Sequence, residues 1–126
     1  MQLLATLAVA LLAALHLYIL VLEMFLWTTP RGRAAFGLAP EFAQATKTLA
    51  ANQGLYNGFL AAGLAWGAWS GADATSAGEG FAVRVFFLAC VITAGVFGAL
   101  TSSRKILFVQ ALPGAVALAL VVLAHR

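Results

Sequence analysis

The sequence predicts an all-α protein, a bundle of four transmembrane helices built as a single domain over residues 1–126. Three observations carry that prediction. The chain is 63% hydrophobic and only 9% charged, where a soluble domain carries about a quarter charged residues. Its apolar residues, with a mean hydropathy of +1.00, collect into four runs, each close to the ~20 residues a helix needs to cross a bilayer. The basic residues fall in short segments between those runs, where they set topology. The net charge of +3 is for the same reason no nucleic-acid footprint.

The first run, Leu3 to Trp27, is N-terminal but has no Lys or Arg before it and is too long for a signal-peptide core, so it reads as a retained span. Trp27 suits the interfacial belt, and Thr28, Thr29 and Pro30 end the helix. Arg31 to Ala39 reads as a loop rich in Gly and Arg. Pro40 fits the first position of a new helix, with Glu41 at its positive end. That helix runs through Thr48 into the second span, Leu49 to Trp69. Ser70 to Gly80 is a small, polar, acidic loop. The third span covers Phe81 to Thr101, Ser102 to Lys105 make a basic turn, and the fourth span covers Ile106 to Ala124 ahead of His125 and Arg126. Arg31, Arg33, Lys47, Arg104 and Lys105 share one side of the membrane. The positive-inside rule therefore predicts cytoplasmic first and third loops, both termini on the outer side, and a multi-pass place in the cell inner (plasma) membrane.

Small residues recur at helix-packing spacing: Gly54-Gly58-Ala62 and Gly63-Gly67 in the second span, Ala94-Gly98 and Gly95-Ala99 in the third, Ala111-Ala115-Ala119 in the fourth. Ordinary bundle packing explains them. The two directions taken by the stripes of the second span also lead to the expectation of a homo-oligomer. Cys90, the single cysteine, excludes an internal disulfide and reads as a mid-span packing residue.

Polar residues gather at the predicted cytoplasmic end of all four spans. Glu23 lies about one turn from the end of the first. Asn52, Gln53, Tyr56 and Asn57 lie in the second, Arg104 and Lys105 close the third, and Gln110 lies one turn into the fourth, next to Pro113. An intramembrane carboxylate is a functional candidate by default. Its expected partners are Arg104, Lys105 or the Asn52 and Gln53 amides. Asn52–Tyr56 and Gln53–Asn57 are i,i+4 pairs on neighbouring stripes, suited either to glue helices or to line a cavity. His16, a secondary candidate, shares the face of Glu23 but lies ~10 Å deeper, too far for one metal ion to bind both; no metal site is expected. Pro113 removes the donor for the carbonyl of Val109 and is expected to kink the fourth helix. Arg84 is expected to snorkel to lipid head groups.

The residues assign no reaction: there is no Ser-His-Asp set in reach, phosphate loop, CxxC or heme motif. The favoured reading is a pocket in the cytoplasmic leaflet, formed by Glu23, Asn52, Gln53, Tyr56, Asn57, Arg104 and Gln110, that binds an amphipathic or lipid-like molecule. The alternative is a purely structural membrane bundle or accessory subunit. The absence of an inverted repeat disfavours a transporter.

His16, the run Glu23-Met24-Phe25-Leu26-Trp27-Thr28-Thr29-Pro30-Arg31-Gly32-Arg33, the run Asn52-Gln53-Gly54-Leu55-Tyr56-Asn57-Gly58-Phe59, Ser103-Arg104-Lys105 and Gln110-Ala111-Leu112-Pro113 together resemble a bacterial integral-membrane family, the domain of unknown function thirteen hundred and four. That resemblance implies four helices and membrane location, and no activity. Asn52, Phe59-Leu60, Gly63, Arg84-Val85, Arg104 and Leu112-Pro113 are more distantly similar to the eicosanoid and glutathione metabolism superfamily of membrane enzymes. That second resemblance implies a trimer, with glutathione bound between subunits, and a glutathione-dependent membrane enzyme as a further alternative. Leu55 stands where that superfamily has an acidic residue.

The loop charges generate a test of orientation. With cysteine introduced at Ala35 or at Ser76, a membrane-impermeant maleimide added outside should label position 76 and spare position 35. The reverse pattern would invert the topology.

Overall fold

The computed structural model describes residues 1–73, 75 and 77–126; Ala74 and Ser76, within the expected Ser70–Gly80 loop, lie outside the described residues. The described residues form α1 (Gln2–Met24), α2 (Pro30–Phe36), α3 (Pro40–Ser70), α4 (Ala77–Thr101), a π-helical turn (Leu107–Ala111) and α5 (Leu112–His125), with no strand among them. Three segments are long and apolar enough to cross a membrane: Gln2–Met24, Ala77–Thr101 and Leu107–His125. The chain divides into two compact units, one of Met1–Ala13 with Ala62–Arg126 and one of Ala14–Ala61.

In the first unit, the core is narrow and built from small or branched residues. Ala5, Val9 and Leu12 of α1, Leu64 of α3, Leu88 and Val91 of α4, and Ala117 and Val121 of α5 are buried. Their three- and four-residue spacing puts one stripe of each helix inward. The outward faces carry large apolar side chains, among them Leu3, Leu7, Phe86, Phe97, Leu100 and Val116. That distribution suits hydrocarbon, which imposes no penalty on an exposed Leu or Phe. At Gly95, a Cβ would lie 2.7 Å from the amide nitrogen of Ala111, so glycine there lets α4 meet the π-helical turn backbone to backbone. The turn itself follows from Pro113. Proline offers no N–H to the carbonyl four residues back. The helix widens just before it, and the amide of Leu112 donates to the carbonyl of Leu107, five residues back.

In the second unit, α1 stops at Met24, three residues short of the predicted end. The amide of Leu26 is shared between the carbonyls of Val21 and Leu22. Trp27 stands outside the helix, its Nε1 donating to Thr46 Oγ1 at 3.0 Å, its ring tilted against Phe36 with centroids 4.9 Å apart.

The predicted Arg31–Ala39 loop is corrected by α2. Thr29 is extended and its hydroxyl accepts from the amide of Gly32 at 3.3 Å, Pro30 takes the first turn, and Gly37 ends the helix in the left-handed region (φ 67°, ψ 41°) with its amide on the carbonyl of Arg33. Threonine before proline with glycine seven residues on is a start-and-stop pattern; Pro30 begins a helix as well as following one. Gly32 sits against the carbonyl of Leu26, where a Cβ would collide with the oxygen.

Between α3 and α4, Thr75 donates to Asp73 Oδ1 from its amide at 2.9 Å and from its hydroxyl at 2.8 Å. These bonds, the backbone one first, hold the Asp73 carboxyl below its ordinary value.

Candidate functional site: a buried carboxyl–amide pair and an outward amide stripe

The predicted polar cluster is divided by helix geometry. On α3, Gly54, Asn57, Gly58 and Ala61 recur at three- and four-residue spacing, which places them on one face. In the second unit that face lies against Leu20, Glu23 and Met24 of α1. A Cβ on Gly54 would lie 2.7 Å from Met24 Cγ and 3.0 Å from Glu23 Cβ, and one on Gly58 would lie 2.7 Å from Leu20 Cδ1. The missing side chains bring the helices close enough for the short amide of Asn57 to reach the Glu23 carboxyl. Nδ2 donates to Oε2 at 2.8 Å, with Glu23 8% and Asn57 9% exposed. The Asn57 amide also donates to the carbonyl of Gln53 at 3.3 Å. The residue that meets Glu23 is thus Asn57, where the sequence pointed to Arg104, Lys105, Asn52 or Gln53.

The other stripe turns outward. Asn52, Gln53 and Tyr56 are exposed. The Asn52 amide donates to the Tyr56 hydroxyl at 3.4 Å, and the Tyr56 ring lies tilted against Phe59, centroids 6.1 Å apart. The result is a ribbon of amide, phenol and aromatic ring along the outside of α3.

The remaining candidates lie in the first unit or away from this pair. Gln110, half-buried in the π-helical turn, donates from Nε2 to the carbonyl of Val91 at 3.3 Å and so ties that turn to α4. Arg104 is exposed. His16 is fully buried, on the same stripe as Glu23. Among the described residues, no group of three or more His, Cys, Asp or Glu side chains could hold a metal ion.

Sequence reasoning placed Arg84 at the head groups; it is instead buried, 2% exposed. Its Nε donates to the carbonyl of Gly67 at 2.8 Å, and its Nη2 to the carbonyl of Ala68 and to Thr6 Oγ1, each at 3.0 Å. The carbonyls of the last turn of α3 have no partner inside the helix, although that of Gly67 also accepts from the Gly71 amide at 3.0 Å, and they carry the negative end of the helix dipole. A guanidinium there answers both. Gly67 makes room, since a Cβ would lie 2.9 Å from Arg84 Cγ. The available signal was an arginine one turn or two into a span with glycines opposite, at Gly67 and Gly71.

Gly54 and Gly58 are filled by α1, whereas Gly63 meets the ring of Phe87 and Gly67 meets Arg84 of α4. Both directions therefore have contacts within the chain.

The pair generates a prediction. Asn57→Leu leaves the Glu23 carboxyl buried without its donor, and stability in detergent should fall by about 1–3 kcal/mol. Asn52→Leu on the outward stripe should cost less than ~0.5 kcal/mol. Equal losses in thermal unfolding would mean that the two amides are in equivalent surroundings.

No curated protein and no solved structure matches the chain. The family described as protein of unknown function (DUF1304) matches residues 10–122, which include Glu23, the whole amide cluster of α3, Arg84 and Gln110. With nearly its full length matched, the chain belongs to the DUF1304 family.

Proposed function

We propose that this protein is a four-span protein of the inner membrane, both termini outside, that binds the polar head of an amphipathic or lipid-like molecule along the outward stripe of α3. The observation that carries the reading is the unequal fate of the amides. Asn57 and Glu23 satisfy each other inside, while Asn52, Gln53 and Tyr56 face out. Beyond the 3.4 Å bond from Asn52 to Tyr56, the amide groups of this stripe face the surroundings, and an amide group turned toward hydrocarbon is costly without a partner. The stripe therefore favours a molecule that brings hydrogen-bonding groups and an apolar tail, the latter against Phe59, 58% exposed beside it.

The length of α3 supports a fourth crossing. Its 31 residues extend ~46 Å, more than the ~30 Å hydrocarbon core requires. An excess of this size accommodates the turns around Glu41 and Lys47 in water. Asn52 and Gln53 then fall near the cytoplasmic boundary, where a head group lies.

Thermal unfolding in mild detergent tests the reading with a long-chain fatty acid, a monoacylglycerol, phosphatidylethanolamine and glutathione, the last being the ligand implied by the more distant resemblance. At least one amphipathic member should raise the melting temperature of the wild type, and Asn52→Leu and Tyr56→Phe should reduce that rise. If the variants respond as the wild type does, the stripe is not the site. If native mass measurement shows a multimer that Asn52→Leu dissociates, the stripe is covered by a second copy.

A further inference from the structure

Arg84 has more donors than α3 can use. Its bonds to Gly67, Ala68 and Thr6 engage the Nε hydrogen and both hydrogens of Nη2. Neither hydrogen on Nη1 takes part in any of the three. The carbonyls at a helix end supply about half a unit of negative charge, so a full positive charge almost out of reach of solvent is only partly compensated.

The same residue lines a small cavity of about 10 Å³, room for one water-sized group. Gln2, Gly71, Ala77, Phe81, Val121 and His125 line it with Arg84, and among the described residues no carboxylate does. Its place in the fold follows from helix ends. Gln2 opens α1, Gly71 follows α3, Ala77 opens α4 and His125 closes α5. A cavity among four helix ends lies at the depth of lipid head groups.

Two packing features keep it open. The ring of His125 is stacked on Phe81, centroids 3.8 Å apart and planes 12° from parallel, which fixes the imidazole. Glycine at 71 and 80 spares the space that side chains would take: a Cβ on Gly71 would fall on the guanidinium, and one on Gly80 on the backbone of Gly71.

We propose that this cavity is an oxyanion site: one phosphate oxygen, from a lipid head group or from inorganic phosphate, seats against Arg84 with the Gln2 amide and the His125 imidazole beside it. Guanidinium–phosphate bonds are charge-assisted and among the stronger hydrogen bonds. A cavity of this size admits one oxygen and leaves the rest of the tetrahedron outside, which suits a monoester or diester equally.

The test uses the full chain, with two variants. Ala77→Leu fills the cavity and retains Arg84 with its bonds to α3. Arg84→Lys keeps the charge and loses the fork. Melting temperature in uncharged detergent is measured with inorganic phosphate against chloride at equal ionic strength. It is measured again in nanodiscs of phosphatidylglycerol against phosphatidylcholine.

The wild type should gain several degrees with phosphate if the free ion is the ligand, or only in phosphatidylglycerol if the lipid is. Ala77→Leu should lose that gain while folding to the same helical content. Arg84→Lys, where it folds, should keep at most a small part of it. The proposal is overturned if the wild type gains nothing beyond the chloride and phosphatidylcholine controls. It is equally overturned if Ala77→Leu responds as the wild type does.

Discussion

In a hydrocarbon solvent, a polar side chain must find its hydrogen-bond partner inside the protein, and the buried polar groups Glu23, Asn57 and Arg84 of this chain meet that requirement. Among the described residues of the three segments long and apolar enough to cross a membrane, Glu23 is the one buried acidic residue, and it is met by the amide of Asn57 at 2.8 Å. That bond requires two helices whose backbones lie close together. The requirement in turn explains Gly54 and Gly58, which flank Asn57 on the contact face and have no side chain to hold α1 away. One hydrogen bond thus accounts for the residue types at four neighbouring positions. Arg84 obeys the same constraint by another route. It donates to carbonyls in the last turn of α3, and again glycines opposite it, at 67 and 71, supply the space.

The distribution of size suits the same solvent. Inside the first unit lie Ala5, Ala117, Val9, Val91 and Gly95; outside lie Phe86, Phe97, Leu3 and Leu100. In water the large residues would be driven inward by the hydrophobic effect. Between helices in lipid that drive is absent, and contact is won by close approach and satisfied polar groups. The π-helical turn fits this pattern. Pro113 removes one donor, the turn ahead of it widens, and Ala111 is brought against Gly95 while Gln110 reaches the carbonyl of Val91. A disruption of the helix ladder becomes a point of attachment between α4 and the last helical segment.

The helices were readable from the sequence because hydropathy and length suffice for that. Pro40 with Glu41 marked the start of α3, and Ser70 ended it. The spans at Ala77–Thr101 and Leu107–His125 were readable to within about four residues. The helix Pro30–Phe36 was not foreseen, because proline after a span reads most directly as a stop, and its cap lies in the side chain of Thr29. The site was readable in part. Glu23 and the α3 cluster stood out as polar groups in an apolar setting, and the two stripes of α3 were distinct by periodicity. Which stripe faces α1 depends on helix rotation, which the polar residues alone do not settle. The glycines settle it, since the side of α3 that carries Gly54 and Gly58 is the side that can approach, and Asn57 is on it. Arg84 was misplaced for a related reason: an arginine near a span end can extend to the head groups or fold onto a neighbouring helix end. The choice rests on Gly67 and Gly71, far away in sequence.

The central claim is that the Glu23–Asn57 bond joins α1 to α3 as an interaction between those two side chains. A double-mutant cycle with Glu23→Leu and Asn57→Leu, read by reversible unfolding in detergent, measures it most directly. Interhelical hydrogen bonds in membranes couple by about 0.6 kcal/mol on average and up to about 1.7; a carboxyl acceptor held by close backbones should fall in the upper half of that range, with the double variant more stable than the sum of the single losses implies. Strict additivity, with the two losses summing within about 0.3 kcal/mol, would contradict the account and leave both residues as independent contributors to the fold.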